Sequence, residues 1–240
     1  MRTTLAAALA AVLLVACSSG GDASPTASTL PSEAVPSVAS PSASEAASAS
    51  IPEGWELVAV EDAGFAVALP EEWLSVSAAD VAATGVFEQM AEDNPEAAAV
   101  MEQARQAIQS GQMSFMAFET GQRTVETGFA ANMNVVRVID DGSSTIEEIA
   151  AQMELALPLQ IPGLEVVETD TTVLPGGEAA IVKSRWTVEG DQGQRALSLT
   201  QYAILTGDGE AHILSFTAPE EHAADYAETW AGIAESFTVD

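Results

Sequence analysis

The sequence predicts an α+β domain in which helices sandwich an antiparallel sheet, preceded by a lipoprotein signal peptide and a disordered linker. Three observations along the 240 residues support this prediction. A short apolar run precedes a single cysteine, Cys17, and a segment rich in Ser, Ala and Pro follows over residues 18–50. From Ile51 onward, alternating apolar residues typical of strands are interspersed with apolar stripes typical of helices. Such a mixture is typical of layered α+β domains.

The first 17 residues have the pattern of a bacterial lipoprotein signal peptide. Arg2 supplies the positive start, residues 5–15 form the apolar stretch, and the small residue Ala16 precedes Cys17. The stretch is shorter than the roughly 20 residues that a membrane-spanning helix needs. We therefore expect cleavage between Ala16 and Cys17, removal of residues 1–16, and attachment of lipid, palmitate included, to Cys17. The alternative is an ordinary secretion signal with a coincidental cysteine.

The cysteine count and the charge both agree with lipid as the membrane anchor. Cys17 is the only cysteine, so no disulfide can form within the chain. The chain carries 36 acidic against 7 basic residues, a net charge of −29, which repels anionic headgroups and nucleic acid alike. We therefore expect no nucleic-acid partner. Retention at the extracytoplasmic face of the cell membrane should depend on the lipid on Cys17.

The segment that follows the cysteine has the composition of a disordered tether. Residues 18–50 contain 11 Ser, 8 Ala and 4 Pro, and no aromatic residue. Such a segment cannot bury enough apolar surface to offset its ordering entropy. Its predicted end-to-end reach is about 30 Å. We therefore place lipidated Cys17 and the tether in residues 17–50, and the globular domain in residues 51–240.

The globular region contains all the aromatic residues and enough chain for one substantial core. In its clearest strand, apolar and polar residues alternate, which puts two cations on one face and the apolar residues on the other. The alternating sets are Val182, Ser184, Trp186 and Val188 against Lys183, Arg185 and Thr187. Two later strands, joined by a turn at residues 207–209, complete a predicted β-meander. The predicted strands are 57–60, 65–69, 113–119, 133–139, 165–174, 182–188, 197–205 and 212–216.

Three helices are predicted from apolar stripes at helical spacing. The stripes are Ala97, Met101, Ala104 and Ile108; Ile146, Ile149, Ala150, Met153 and Leu157; and Ala223, Tyr226, Ala227, Trp230, Ile233, Ala234 and Phe237. Their predicted N-terminal signals are Asn94 with Pro95, a capping box of Ser144 with Glu147, and a capping box of Thr217 with Glu220. The first helix belongs to an acidic insertion over residues 78–110.

Four features of the globular region together resemble the Mog1/PsbP-like fold. They are the segment GFAVALPEEW from Gly64 to Trp73, the turn at residues 175–177, the hairpin around Gly207, and the closing segment 233–237. Over about residues 53–239 the chain is similar to the exported actinobacterial lipoproteins of the LpqN type. The resemblance implies an α/β/α sandwich around an antiparallel sheet. It implies a binding or accessory module rather than one activity, because members of this fold have different partners.

The chain lacks most of the residues that common enzymes use. His212 and His222 are the only histidines, and we expect one packed and one exposed residue rather than a metal or acid–base pair. The sequence has no G-x-S-x-G elbow, no P-loop and no H-E-x-x-H motif. We therefore expect a protein that is not an enzyme and that has no cofactor or metal.

Paired carboxylates keep one catalytic alternative open, a hydrolase of envelope polymers. Two carboxylates about 5 to 10 Å apart can hydrolyse a glycosidic bond. Acids at turns and helix starts, however, more often stabilise backbone donors. Asp140, Asp141 and Asp208 are conceivable calcium ligands but lack EF-hand spacing. The adjacent pairs are Glu61–Asp62, Glu71–Glu72, Asp140–Asp141 and Glu220–Glu221.

Lys183, Arg185 and Arg195 form the candidate binding site, a small positive site for an anionic ligand or a partner. The alternative is that each cation pairs with nearby carboxylates of its own chain. The four tryptophans are predicted to fill the core, although aromatics can also line a pocket for a small hydrophobic ligand.

The sequence as a whole predicts a membrane-anchored extracytoplasmic lipoprotein with a noncatalytic binding or accessory domain acting in the cell envelope. Its partner would be an envelope protein. The alternative is a carrier or sensor that holds a lipid or another small hydrophobic envelope molecule.

Overall fold

A computed structural model describes residues 51–82, 98–139, 142, 144–190, 193–207 and 209–239. The predicted signal peptide, Ala16, Cys17 and the predicted tether lie outside the described residues, as do Asn94, Pro95, Asp140, Asp141 and Asp208. The described part has ten strands and five α-helices. The strands are β1 (Trp55–Val60), β2 (Phe65–Pro70), β3 (Trp73–Ser77), β4 (Phe115–Glu119), β5 (Asn132–Ile139), β6 (Glu165–Leu174), β7 (Gly177–Gly190), β8 (Gly193–Thr206), β9 (Glu210–Pro219) and β10 (Thr238–Val239). The helices are α1 (Ala78–Ala82), α2 (Ala98–Gln109), α3 (Gln122–Thr127), α4 (Ile146–Gln160) and α5 (Ala223–Ser236).

Seven of the strands form one antiparallel sheet in the order β3-β4-β5-β9-β8-β7-β6. The predicted β-meander is confirmed, since β7, β8 and β9 are consecutive neighbours in this sheet. A smaller antiparallel sheet has the order β1-β2-β10. It includes the last strand of the chain, so both ends of the globular region meet in it.

The central strands of the large sheet are buried on both faces, and each face has its own apolar core. One face, here called the α5 face, packs against β2 and α5 through residues such as Phe65, Phe216 and Trp230. The opposite face, here called the α4 face, packs against α4 and, at the β3–β4 end, against α2. The predicted fold class, helices around an antiparallel sheet, is therefore confirmed. The small sheet shares the α5 layer with its helix, a detail that the sequence resemblance did not predict.

Local rules explain where α4 begins, although the predicted capping box is displaced by one residue. Thr145, rather than Ser144, is the N-cap, and its hydroxyl accepts from the backbone N–H of Glu148. The side chain of Glu148 accepts in return from the N–H of Thr145. The predicted apolar stripe of this helix is buried as expected. The displacement of the cap by one residue does not move the apolar stripe. The stripe, not the cap, determines which face of the helix is buried.

The predicted start of the last helix is wrong. Thr217 lies in β9, which continues to Pro219, and a 3₁₀ turn over residues 220–222 precedes α5 at Ala223. The N-cap of α5 makes no side-chain hydrogen bond. The pairing of β9 with β8 extends the strand past Thr217, so backbone ladder bonds replace the expected cap. The short elements β3, β10 and α3 were not predicted, whereas α1 lies within the predicted acidic helical insertion of residues 78–110.

The C-terminal end of α5 and the residue that follows it attach the C-terminus to the sheets. Ser236 accepts a hydrogen bond from the backbone N–H of Ala68 on β2 at 2.8 Å. Phe237 is fully buried and packs on Phe65 with ring centroids 5.3 Å apart. The close β6–β7 turn lies directly against this region, since Gly176 approaches Phe237. The closing segment therefore belongs to the core rather than to a frayed terminus.

The β6–β7 turn gives a stability prediction at Gly177. Gly177 has a φ of 143°, and a Cβ there would overlap the carbonyl oxygen of Leu205 on β8. We expect Gly177→Ala to lower the free energy of unfolding by about 3 kcal/mol, because backbone strain and a backbone clash act together. Urea denaturation of the purified protein measures this loss.

Gly193 is the matched control in the next hairpin. It has a φ of 99°, but no atom lies within 4 Å of the position of a Cβ. Gly193→Ala should cost only about 1 kcal/mol, the conformational penalty alone. Equal losses for the two variants would show that the contact with Leu205 contributes nothing.

Candidate functional site

The cations predicted on one strand face lie on β7, where the strand extends beyond the layer that covers the α5 face. Val182, Ser184 and Trp186 are buried on the α4 face, whereas Lys183 and Arg185 are exposed on the α5 face. The predicted alternation is therefore confirmed. Both cations point into solvent because the second half of β7 has only its α4 face covered.

Each of these cations pairs with a carboxylate of the edge strand β6. The Nζ of Lys183 donates to Glu168 at 3.0 Å. The Nε and Nη2 of Arg185 both donate to one oxygen of Glu165, at 3.1 and 2.9 Å. The Nη1 of Arg185 lies 3.7 Å from a carboxylate oxygen of Glu220, in the 3₁₀ turn before α5. Arg185 thus connects β6, β7 and the start of the last helical segment.

A polar cavity of about 190 Å³ lies beside Arg185. Its lining residues are Gly163, Glu165, Arg185, Trp186, Thr187 and Glu220. The hydrogen bond to Glu165 and the negative charges of Glu165 and Glu220 raise the pKa of Arg185 above its ordinary value. An incoming anion would have to compete with these two carboxylates for the guanidinium. The arrangement therefore suits a neutral polar group or a partner that brings its own positive charge better than a free anion.

The structure does not bring Arg195 to this site. Arg195 is paired in register with Val188, so its side chain lies on the α4 face, opposite Lys183 and Arg185. Its guanidinium donates to the backbone carbonyls of Thr127 and Gly128, at 3.1 and 3.3 Å. It also lies over the ring of Phe129 at 5.7 Å. The predicted three-residue positive site is thus reduced to two residues, because the β7–β8 register could not be read from the sequence.

A second polar cluster, not predicted from the sequence, lies between α3 and α5. The buried hydroxyl of Tyr226 donates to Glu119 at 2.5 Å, and the guanidinium of Arg123 lies 4.8 Å from the Tyr226 ring centroid. Burial first, and then the hydrogen bond to Glu119, raise the pKa of Tyr226 above its ordinary value. Glu119 and Tyr226 are 107 residues apart in the chain. No local pattern could have shown this pairing.

The tryptophans are core residues, as predicted. Trp73, Trp186 and Trp230 are buried, and Trp55 packs on the same core as Trp230 at the edge of the small sheet. The indole of Trp230 is stacked between Tyr226 and Phe216, with both centroid distances 5.6 Å. Trp55, Trp73 and Trp230 belong to the core of the α5 face, whereas Trp186 belongs to the core of the α4 face and also lines the polar cavity.

The two histidines lie apart, as expected. His212 is buried near the start of β9 against the rings of Phe65 and Phe237, whereas His222 is partly exposed beside Asp225. Among the described residues, no three His, Cys, Asp or Glu side chains form a group that could hold a metal ion. The calcium hypothesis falls on Asp140, Asp141 and Asp208, which lie outside that part of the chain.

The buried His212 gives a prediction of pH dependence. Burial first, and then the positive charge of Arg137, lower its pKa below the ordinary 6.5, against the opposing charge of Glu210. As the pH falls through 6.5, the unfolded chain therefore binds a proton that the folded chain does not. Stability should decline from that point downward until the pH passes the lowered pKa.

As the pH falls from about 7 to about 5, we expect the free energy of unfolding to decline less in His212→Leu than in the wild type, since the variant lacks the group that titrates. Urea denaturation at several pH values measures the difference. His222→Asn is the control, and it should follow the wild-type pH curve. An unchanged pH curve in His212→Leu would assign the decline to the carboxylates instead.

The Glu119–Tyr226 contact gives a second site prediction. Tyr226→Phe removes the hydroxyl and leaves a buried carboxylate without its donor, so we expect a loss of about 2 kcal/mol in the free energy of unfolding. Glu119→Gln, Tyr226→Phe and the double variant form a cycle that isolates the contact. Additive losses in that cycle would mean that the hydroxyl does not stabilise the carboxylate.

The chain matches no protein-family model and no curated protein. Several solved structures are similar to it. Cyanobacterial PsbP from Synechocystis sp. PCC 6803 is 12% identical, with 78% of this chain and 93% of that chain covered, at a TM-score of 0.47. The Ran-binding protein Mog1p of Saccharomyces cerevisiae is 11% identical, with 77% and 95% covered, at a TM-score of 0.43.

LpqN, a Mycobacterium tuberculosis protein involved in cell envelope biogenesis, is 12% identical, with 79% of this chain and 80% of that chain covered, at a TM-score of 0.39. PsbP, Mog1p and LpqN are the kinds of protein whose fold the sequence motifs resemble. At such low identity the likeness concerns fold alone. The chain is thus similar in fold to Mog1/PsbP-like proteins, as its sequence predicts.

Proposed function

We propose that this chain is a lipid-anchored protein of the extracytoplasmic face of the membrane, whose domain binds another envelope protein and does no catalysis itself. The observation that carries the proposal is the sequence Leu-Val-Ala-Cys at residues 14–17, which has the pattern of a bacterial lipobox, the site of signal-peptide cleavage and lipid attachment. It ends at the only cysteine of the chain. Acylation there needs export, and the apolar stretch before it is of signal-peptide length. No helix of the described residues is long and apolar enough to span the membrane.

The chemistry of the described domain favours binding over catalysis. Each lysine and arginine of this part has a partner within the domain, either a carboxylate, the Glu119–Tyr226 pair or backbone carbonyls. The buried side chains of Tyr226 and His212 lie within packed aromatic clusters. These internal contacts support the proposal that the domain binds a partner rather than catalyses a reaction.

The alternative of a lipid carrier would need an apolar cavity large enough for an acyl chain. The cavity beside Arg185 is lined by charged and polar groups, which suit headgroups or peptide but not a hydrocarbon chain. Native mass spectrometry of the purified mature protein distinguishes the two. A copurifying lipid in stoichiometric amount would favour the carrier over the adaptor.

The anchor is tested by Cys17→Ala in the full-length protein, expressed in a bacterial host that processes lipoproteins. We expect loss of radiolabelled palmitate incorporation and release of the protein from the membrane fraction, because a chain with net charge −29 has no other attraction to anionic lipid. Ser18→Ala is the matched control and should stay acylated and membrane-bound. A Cys17→Ala protein that is processed normally and still sediments with membranes would overturn the proposal.

A further inference from the structure

Helix α4 is apolar on two opposite sides, and among the described residues only one of these sides is covered. Ile149, Met153 and Leu157 on its inner side are fully buried against the large sheet. On its outer side, Leu155 is 73% exposed and Leu159 is 86% exposed. A helix that covers a sheet normally carries polar residues on its outer side. The two leucines are therefore unexplained by the fold.

The two leucines form one contiguous surface. Residues four apart on a helix are neighbours on the same side, so Leu155 and Leu159 lie one turn apart. Other strongly exposed apolar residues, such as Val125 on α3 and Val173 on β6, sit on different elements. Scattered apolar residues are ordinary on protein surfaces, whereas a contiguous apolar patch marks a site of interaction. Leu155 and Leu159, with the exposed Pro158 between them, are here called the leucine surface.

Negative charge surrounds the leucine surface. Glu147, Glu148 and Glu154 are exposed on the same helix, which has no basic residue in its last turn. Glu148 lies on the same side as Leu155, two turns before it. A matching partner would bring apolar side chains together with positively charged donors.

We propose that the leucine surface of α4 docks a protein segment that carries both apolar and basic side chains, such as a basic amphipathic helix. The inference deepens the proposed function and rests on its claim that the domain binds a protein. The net charge of the chain favours this partner over two alternatives. A second copy of the chain and an anionic membrane are both repelled by a net charge of −29, whereas a basic segment is attracted.

The test uses the mature chain, residues 17–240, with Cys17→Ser, so that neither lipid nor a thiol interferes. The probe is a synthetic amphipathic helical peptide of leucine and lysine, labelled for fluorescence anisotropy. We expect the double variant Leu155→Ser, Leu159→Ser to weaken binding at least about tenfold, since a few apolar anchors supply most of the affinity of such contacts. Circular dichroism and the thermal midpoint verify that each variant is folded.

Two matched controls separate the leucine surface from general attraction to an acidic protein. Val125→Ser with Val173→Ser removes two equally exposed apolar residues elsewhere and should leave the dissociation constant unchanged. Glu148→Gln with Glu154→Gln should weaken binding and flatten its salt dependence, since it removes the nearby charges. A peptide in which glutamate replaces lysine should not bind.

Several outcomes would overturn the inference while leaving the lipid anchor untouched. Equal affinity for the leucine variant and its valine control would reduce the contact to nonspecific charge attraction. Absence of peptide binding would show that the leucine surface does not bind a segment with apolar and basic side chains. Leucine-dependent dimers in sedimentation, or leucine-dependent binding to phosphatidylcholine vesicles in place of the peptide, would assign a different occupant. Failure of the anchor instead appears only in the Cys17→Ala experiment.

Discussion

Burial of the large sheet on both faces is the constraint on which the rest of this structure depends. A strand covered on both sides must present apolar residues in both directions, and β9, from Ala211 to Ala218, is buried at every position. Its neighbours β5 and β8 lie under the same two layers. Strand β7 continues past the edge of the α5 layer, so its second half alternates buried with charged residues. The candidate site lies where two-sided burial ends.

The same constraint explains how the few cations are used. Lys183 and Arg185 lie on the uncovered part of the sheet and pair with acids of β6, an edge strand whose unpaired backbone needs charged side chains as protection. Arg195, on the covered side, instead satisfies backbone carbonyls of the loop after α3. With the cations engaged internally, the remaining surface charge is almost wholly negative. The negative surface charge therefore acts on any molecule that approaches the domain.

The sequence predicted features that depend on local periodicity and missed those that depend on register or distant contacts. The alternation around Trp186 and the buried stripe of α4 follow from spacing alone, and both are confirmed. The side of the sheet on which Arg195 lies depends on the β7–β8 pairing, which no local pattern specifies. The start of α5 was misplaced because strand pairing competes with a capping box for Thr217. The Glu119–Tyr226 contact required the folded chain.

The predicted tether sets the distance between the membrane and the negatively charged domain. Its reach of about 30 Å exceeds by several-fold the screening length of about 8 Å at physiological salt. At that distance an anionic membrane hardly affects a negatively charged domain, so repulsion does not oppose the proposed anchoring. A protein that touches the domain lies well within the screening length and experiences the charge in full. In the proposed arrangement anchoring and recognition are therefore separate, with lipid assigned to the first and the acidic, partly apolar surface of the domain to the second.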